Sequence, residues 1–140
     1  MQPVHDLELT FLPLFREAER DATAMYPALL FNVWSSSVGG ATAYQGHSIG
    51  VECIFPDAKD EESDNVSASV VVRHLTTNPE ICEASVEWGQ GWHPDVTLEI
   101  LDKPLLLSAE TIQHVEQRIP ELLQVFYKAL RSWLARSGDA

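Results

Sequence analysis

The chain has 140 residues, of which 45% are hydrophobic, and it contains four tryptophans and two cysteines. This is the composition of an ordinary globular protein, so we predict a single α+β domain over residues 1–140. Acidic residues outnumber basic ones by 21 to 9, and the net charge is −12. Such a charge repels phosphate backbones and anionic lipid, so we expect neither nucleic acid nor a membrane as partner.

The sequence also bears on the cellular location of the protein and on the state of its two cysteines. No apolar run approaches the roughly 20 residues of a membrane span, and "MQPVHDLEL" lacks the features of a secretory signal. We therefore expect a cytoplasmic protein. Cys53 and Cys82 lie in apolar runs, which predicts reduced, structural thiols.

The first predicted element is a helix over about residues 11–25. Apolar residues recur at helical spacing in "TFLPLFREAERDATAMYP". Thr10 is the predicted N-cap, Pro13 is expected in the first turn, and Pro27 ends the helix.

Five strand-like runs follow, separated by short turn signals. They are "LLFNVWSSSV", "ATAYQGHSIGVECIFP", "VSASVVVRHL", "ICEASVEW" and "DVTLEIL". Short links favour an antiparallel meander. Gly39 and Gly40 predict a hairpin turn, and Gly46 and Gly50 indicate a bulge or a sharp coil in the second strand.

A long helix begins at Ser108, which is the predicted N-cap. Its apolar stripe continues across Pro120, where we expect a kink. The predicted fold is a two-layer sandwich: an N-terminal helix, a five-stranded antiparallel meander and a long C-terminal helix, with both helices on one sheet face.

Strand alternation sorts the side chains of this sheet onto two faces. An apolar face, which includes Val51, Val70 and Leu98, is expected to take the helices. The other face is polar, as antiparallel sheets allow. It carries the first binding candidates, Trp34 and a predicted charge cluster around Arg73. The carboxylates of that cluster are Glu52, Glu87 and Glu99.

The stretch "EWGQGWHPD" supplies two more candidates. Its glycines are explained by a tight turn between strands. Trp92 follows the turn, where it either folds back on the core edge or stands exposed as a contact residue. We include Trp92 and its neighbour His93 among the predicted binding residues.

No motif in the sequence names a chemistry. The five histidines have no zinc-ligand spacing, "SSSVGG" lacks the context of a nucleophilic serine, and the acidic loop "DAKDEESDN" lacks a calcium-loop register. We therefore assign no catalytic residue, no metal and no cofactor, and consider an enzyme the less favoured interpretation.

Three hypotheses for the function remain, of which the third, a purely structural subunit of a larger assembly, differs from the first only in having one permanent partner. The first is a non-enzymatic protein-binding module of chaperone, inhibitor or adaptor type, since the acidic balance, small size and terminal helices are generally similar to those of secretion chaperones and small inhibitory or immunity proteins. Surplus apolar surface on the C-terminal helix makes a homodimer a variant of it. The second is a small-molecule-binding protein or enzyme with a pocket between sheet and helices. Its candidate residues are His47, His74, Trp92, His93 and Asp95.

Overall fold

The computed structural model describes residues 3–38, 44–54, 64–75, 81–90, 93–101, 103 and 105–136. Two helices flank a run of strands, so the protein has the predicted α+β class. In chain order the elements are α1 (Pro3–Met25), β1 (Leu30–Val38), β2 (Tyr44–Ile54), β3 (Asp64–Leu75), β4 (Ile81–Gln90), β5 (His93–Glu99), β6 (Leu105–Leu106) and α2 (Ala109–Arg136).

The sheet is the predicted antiparallel meander. Its strand order is β1-β2-β3-β4-β5, and each strand pairs antiparallel with the next. The two-residue strand β6 was not predicted. It pairs with Ile81 and Cys82 of β4, beyond the part of β4 that pairs with β5.

Both helices pack on one face of the sheet, as predicted. Helix α1 contacts β1 and β2, helix α2 contacts β3 and β4, and the helices contact each other. The core between the layers includes Phe11 and Phe15 of α1, Val51 of β2, and Leu122 and Phe126 of α2, all with no exposed surface.

Helix α1 begins eight residues earlier than the predicted residue 11, at Pro3. Leu7 extends the buried stripe of Phe11 and Phe15 toward the N-terminus, and packing of that stripe stabilises the added turns. Pro13 therefore lies inside the helix. The carbonyl that loses its donor there belongs to Leu9, which is 63% exposed, so water can satisfy it.

Helix α2 has the predicted N-cap. The backbone N–H of Thr111 donates to Ser108 Oγ at 3.1 Å, and the N–H of Ile112 donates to the Ser108 carbonyl at 3.0 Å. The helix continues through Pro120 as one element. Pro120 is exposed while Ile119 and Leu122 are buried, so the carbonyl that lacks a donor lies toward solvent.

One prediction about the sheet is wrong, and one predicted core-face residue is more exposed than expected. The predicted bulge at Gly46 and Gly50 is absent, since β2 pairs without interruption with both neighbours; the register shift lies between Trp88 and Gly89 of β4. Leu98 lies on the predicted face, opposite the buried Val86, but it is 46% exposed because it belongs to the edge strand β5, beside the strands that α2 covers.

Candidate functional site

The candidate site is the sheet face opposite the two helices, which we call the open face. Neither helix packs on it, and it is made of the side chains that alternate with the buried ones. Its described members are Leu30, Asn32, Trp34, Ser48, Gly50, Glu52, Asn65, Ser67, Ser69, Val71, Ile81, Glu83, Ser85, Glu87, Glu99 and Leu106.

Strand register brings several predicted site residues into two adjacent rows of the open face. Glu52 lies opposite Ser67, and Ser67 lies opposite Glu87, so the two carboxylates are two strands apart, about 10 Å. Trp34 begins the neighbouring row, and Glu99 ends that row on β5. The structure therefore places Trp34, Glu52, Glu87 and Glu99 on one continuous surface.

The side chain of Trp34 extends sideways over the neighbouring strand β2 and does not project straight out from β1. Its Nε1–H donates to Ser48 Oγ at 2.9 Å. A Cβ built on Gly50 would lie 2.7 Å from Cη2 and 2.8 Å from Cζ2 of the indole, and would also meet the Ala68 carbonyl oxygen. Because Gly50 has no side chain, it leaves room for the indole. This explains the presence of a glycine at the position where the sequence suggested a bulge.

The open face is acidic. It carries four carboxylates, those of Glu52, Glu83, Glu87 and Glu99, and none of its described side chains is a lysine or arginine. The Asn32 amide donates to Glu52 Oε2 at 3.4 Å. Carboxylates held this close on one surface produce a negative potential that attracts cationic groups.

Arg73 is not the centre of the predicted group of Glu52, Glu87 and Glu99. Its backbone lies in β3 opposite Gly46 and Ile81. Ser67, in the row of Glu52 and Glu87, is six residues away along the strand, about 20 Å. The prediction that Arg73 lies at the centre of these carboxylates is therefore wrong. The side chain of Arg73 is not among those that the structure describes.

The remaining candidates do not form one site in the described part of the chain. Trp92 lies outside the described residues, and of His93 and Asp95 only the strand position in β5 is described. His93 lies opposite Gln90, which pairs with Asp64. His47 pairs with Val72, which is eight residues from Asp64 along β3. About 26 Å along the strand direction therefore separates His47 from His93. His74 lies diagonal to His47.

His47 instead belongs to a polar cluster between α1 and the sheet, which sequence reasoning missed. Ser35 Oγ lies 2.7 Å from Glu8 Oε2 and 2.7 Å from His47 Nε2. Because a carboxylate only accepts, Ser35 donates its single hydroxyl hydrogen to Glu8, and His47 Nε2–H then donates to Ser35. Burial lowers the pKa of His47, and Glu8 partly opposes this.

The order of this cluster does not suit nucleophilic catalysis. An activated serine needs a histidine that accepts its proton, with the carboxylate on the far side of the ring. Here the serine lies between the two other groups, and the histidine is its donor. The cluster therefore acts as a hydrogen-bonded tie between α1, β1 and β2.

A cleft runs beside this tie, between α1 and the outer edge of β1. Its volume is about 580 Å³. The lining is polar and carries two acidic and two basic side chains; it consists of Glu8, Leu12, Arg16, Glu19, Arg20, Asn32, Val33 and Ser35.

The apolar side chains of α2 that suggested a dimer surface are mostly used inside the fold. Phe126 and Leu130 are fully buried. Tyr127, Trp133 and Leu134 are partly buried and pack against the core. This helix therefore presents less apolar surface to a second copy than the sequence suggested.

A metal site and a membrane span have no support among the described residues. They contain no group of three or more histidine, cysteine or acidic side chains that could hold a metal ion. Among them, no helix combines the length and apolar character needed to cross a membrane. Comparison with known proteins finds no matching family model, no matching curated protein and no matching solved structure.

Both cysteines are buried and free, and we expect them to be unreactive in the folded protein. Burial, together with the adjacent Glu52, raises the pKa of Cys53 to about 12, and burial with Glu83 does the same for Cys82. The thiolate is the reactive form, and its fraction near pH 8 falls about a thousandfold when the pKa rises from 9 to 12. Labelling with a chromogenic disulfide reagent should be slow in buffer and should reach both thiols rapidly in denaturant. Rapid labelling of the native protein would contradict the burial of these side chains.

Proposed function

We propose that this protein is a non-enzymatic protein-binding module, of chaperone, inhibitor or adaptor type, whose open face receives a basic segment of a partner. The observation that carries the proposal is the open face itself: four carboxylates and an indole on a sheet surface that neither helix covers. The net charge of −12 argues against nucleic acid as a partner, and the cytoplasmic setting predicted from the sequence stays part of the proposal.

Trp34 is the proposed anchor of the interface. Tryptophan is enriched among the residues that contribute most to binding, and its ring attracts lysine and arginine. Ser48 and Gly50 hold the indole in one orientation, which reduces the entropy lost on binding. The carboxylates of Glu52 and Glu87 supply long-range attraction and specificity for a cationic partner.

A different protein fits this surface better than a second copy does. Two open faces brought together would place like charges opposite one another, which costs free energy. The exposed large apolar residues, such as Leu9, Leu30 and Leu106, lie on three different elements. Within the described part of the chain, this spread gives no support to self-association through an apolar patch.

One observation supports the second candidate, a small-molecule-binding protein. The cleft between α1 and β1 has a volume of about 580 Å³, which lies in the range of ligand pockets. Its lining contains two carboxylates, two guanidinium groups and the hydroxyl of Ser35. Ligand pockets are mostly apolar with few polar groups, so we rank this candidate second.

The test is affinity capture from lysate of the source cells with the wild type and a charge-reversed open face, Glu52→Lys with Glu87→Lys. We expect the wild type to retain a partner whose recovery falls as salt is raised, because screening weakens charge attraction. The open-face variant should lose that partner. Mass spectrometry of the eluates measures both results.

The matched control reverses two exposed carboxylates on the helical side, Glu17→Lys with Glu116→Lys. It changes the net charge by the same amount and should retain the partner. Equal recovery by all three proteins, or equal loss in both variants, would count against the open face. A partnerless wild type would favour the cleft as a small-molecule site.

A further inference from the structure

The two edges of the sheet are built differently. Strand β5 has the features that protect an edge from pairing: Pro94, the charged Asp95 and Glu99, and a register shift beside Gly89. Strand β1, "LFNVWSSSV", contains no proline and no charged residue, and its pairing with β2 is unbroken. One edge is therefore protected, and the other is suited to pairing.

The outer edge of β1 has room for another strand. It is nine residues long, and no other strand of the described residues pairs with it. In a strand, alternate residues direct their N–H and C=O groups away from the inner neighbour. The cleft of about 580 Å³ runs along this edge, and it includes Asn32, Val33 and Ser35 of β1 in its lining.

The surroundings of that edge set the chemistry of an added strand. On one side its side chains would lie on the open face beside Asn32, two strands from Glu52, whose negative charge suits basic groups there, while the indole of Trp34 lies on the far side of β1, over β2. Side chains on the other side would enter the cleft, where Glu8, Glu19, Arg16 and Arg20 balance in charge. Small uncharged side chains suit this second position.

We propose that the β1 edge receives an extended partner segment by strand addition, with basic residues alternating with small uncharged ones. Main-chain hydrogen bonds to β1 supply affinity, and the alternating side chains supply specificity. The inference rests on the proposed function and names the mode by which the partner binds. A second copy is a poorer occupant, since each copy carries a charge of −12.

The probe is a labelled peptide of alternating lysine and threonine, long enough to span β1, in three forms. One form is unmodified, one is N-methylated at every lysine, and one is N-methylated at every threonine. In an added strand only alternate N–H groups face the sheet. We expect one methylated form to bind like the unmodified peptide and the other to bind at least about tenfold more weakly, because it loses several main-chain bonds. Fluorescence anisotropy measures the three affinities.

The outcomes separate the two proposals. Equal affinities for the two methylated forms, or no binding of the unmodified peptide, would overturn strand addition. If the peptide binds independently of methylation, yet loses affinity for the Glu52→Lys, Glu87→Lys protein and not for the Glu17→Lys, Glu116→Lys control, the open face stands alone as the binding surface. Sedimentation of the free protein provides the last check, because a dimer that the peptide does not dissociate would assign the edge to a second copy.

Discussion

Replacement of Phe126 by alanine is expected to reduce the free energy of unfolding by about 3–5 kcal/mol, the range for a buried phenylalanine whose removal leaves a cavity. Phe126 has no exposed surface, and it lies in α2 where that helix packs on β3 and β4. Its ring centroid is 5.6 Å from that of Tyr127, so an aromatic contact is lost as well. A domain of this size has a stability of about 5–15 kcal/mol, so the variant should unfold at a much lower urea concentration.

The control for this experiment is Gln124→Ala, two residues away on the same helix and exposed. It should change the stability by less than about 0.5 kcal/mol. Urea unfolding followed by far-ultraviolet circular dichroism compares the variants. If Phe126→Ala were as stable as the control, α2 could not be packed on the sheet as described.

Gly50→Ala is expected to destabilise the protein by about 1–3 kcal/mol, as overpacking does. The new Cβ would lie 2.7 Å from Cη2 and 2.8 Å from Cζ2 of Trp34, and would meet the carbonyl oxygen of Ala68. The side chain of Trp34 can rotate away, but Ala68 is buried backbone of β3. The strand pairing must therefore shift as well. Urea unfolding measures the loss, and tryptophan fluorescence of the native state reports the displaced indole.

Two companion variants separate the causes. Ser48→Ala removes only the hydrogen bond to the Trp34 indole, and we expect a loss of about 0.5–1.5 kcal/mol. Trp34→Ala combined with Gly50→Ala removes the clash with the indole and keeps the clash with Ala68. The added methyl group should therefore reduce the free energy of unfolding by less in the Trp34→Ala background than in the wild type. A neutral Gly50→Ala would mean that Trp34 does not lie over β2.

These two variants also bear on the proposed function. Phe126→Ala acts through the core, so a loss of binding would follow the loss of folded protein. Gly50→Ala acts on the open face, and it displaces the indole proposed as the anchor. We therefore regard the place where Trp34 crosses Gly50 as the link between the fold and the proposed interface.

Periodicity was sufficient to predict the two helices and the five long strands, and the short links between strands predicted the meander. The apolar stripe from Ile112 to Leu134 has helical spacing, and the consecutive β-branched residues Val70, Val71 and Val72 are typical of a strand, so each element could be identified locally. Ser108 was identified as a cap because capping depends on adjacent residues. The start of α1 was misplaced because Pro13 resembled a first-turn proline, while burial of Leu7 extends the helix.

The site was predictable only in part. Strand alternation placed Trp34, Glu52, Glu87 and Glu99 on one face because side-chain direction has a period of two. The same reasoning could not give register, so Arg73 was grouped with carboxylates about 20 Å away. Nor could it find the Glu8–Ser35–His47 tie, whose members come from three elements far apart in sequence.

By itself, the sequence determined the α+β class, the order of the elements, the strong negative charge and the polar character of one sheet face. These properties depend on composition and on spacing within single elements. Only the tertiary structure decided that Trp34 lies over Gly50, that His47 is held by Ser35, and that β1 is an edge beside a cleft. Those facts depend on which strands are neighbours and in what register, and long-range packing of the whole chain sets both.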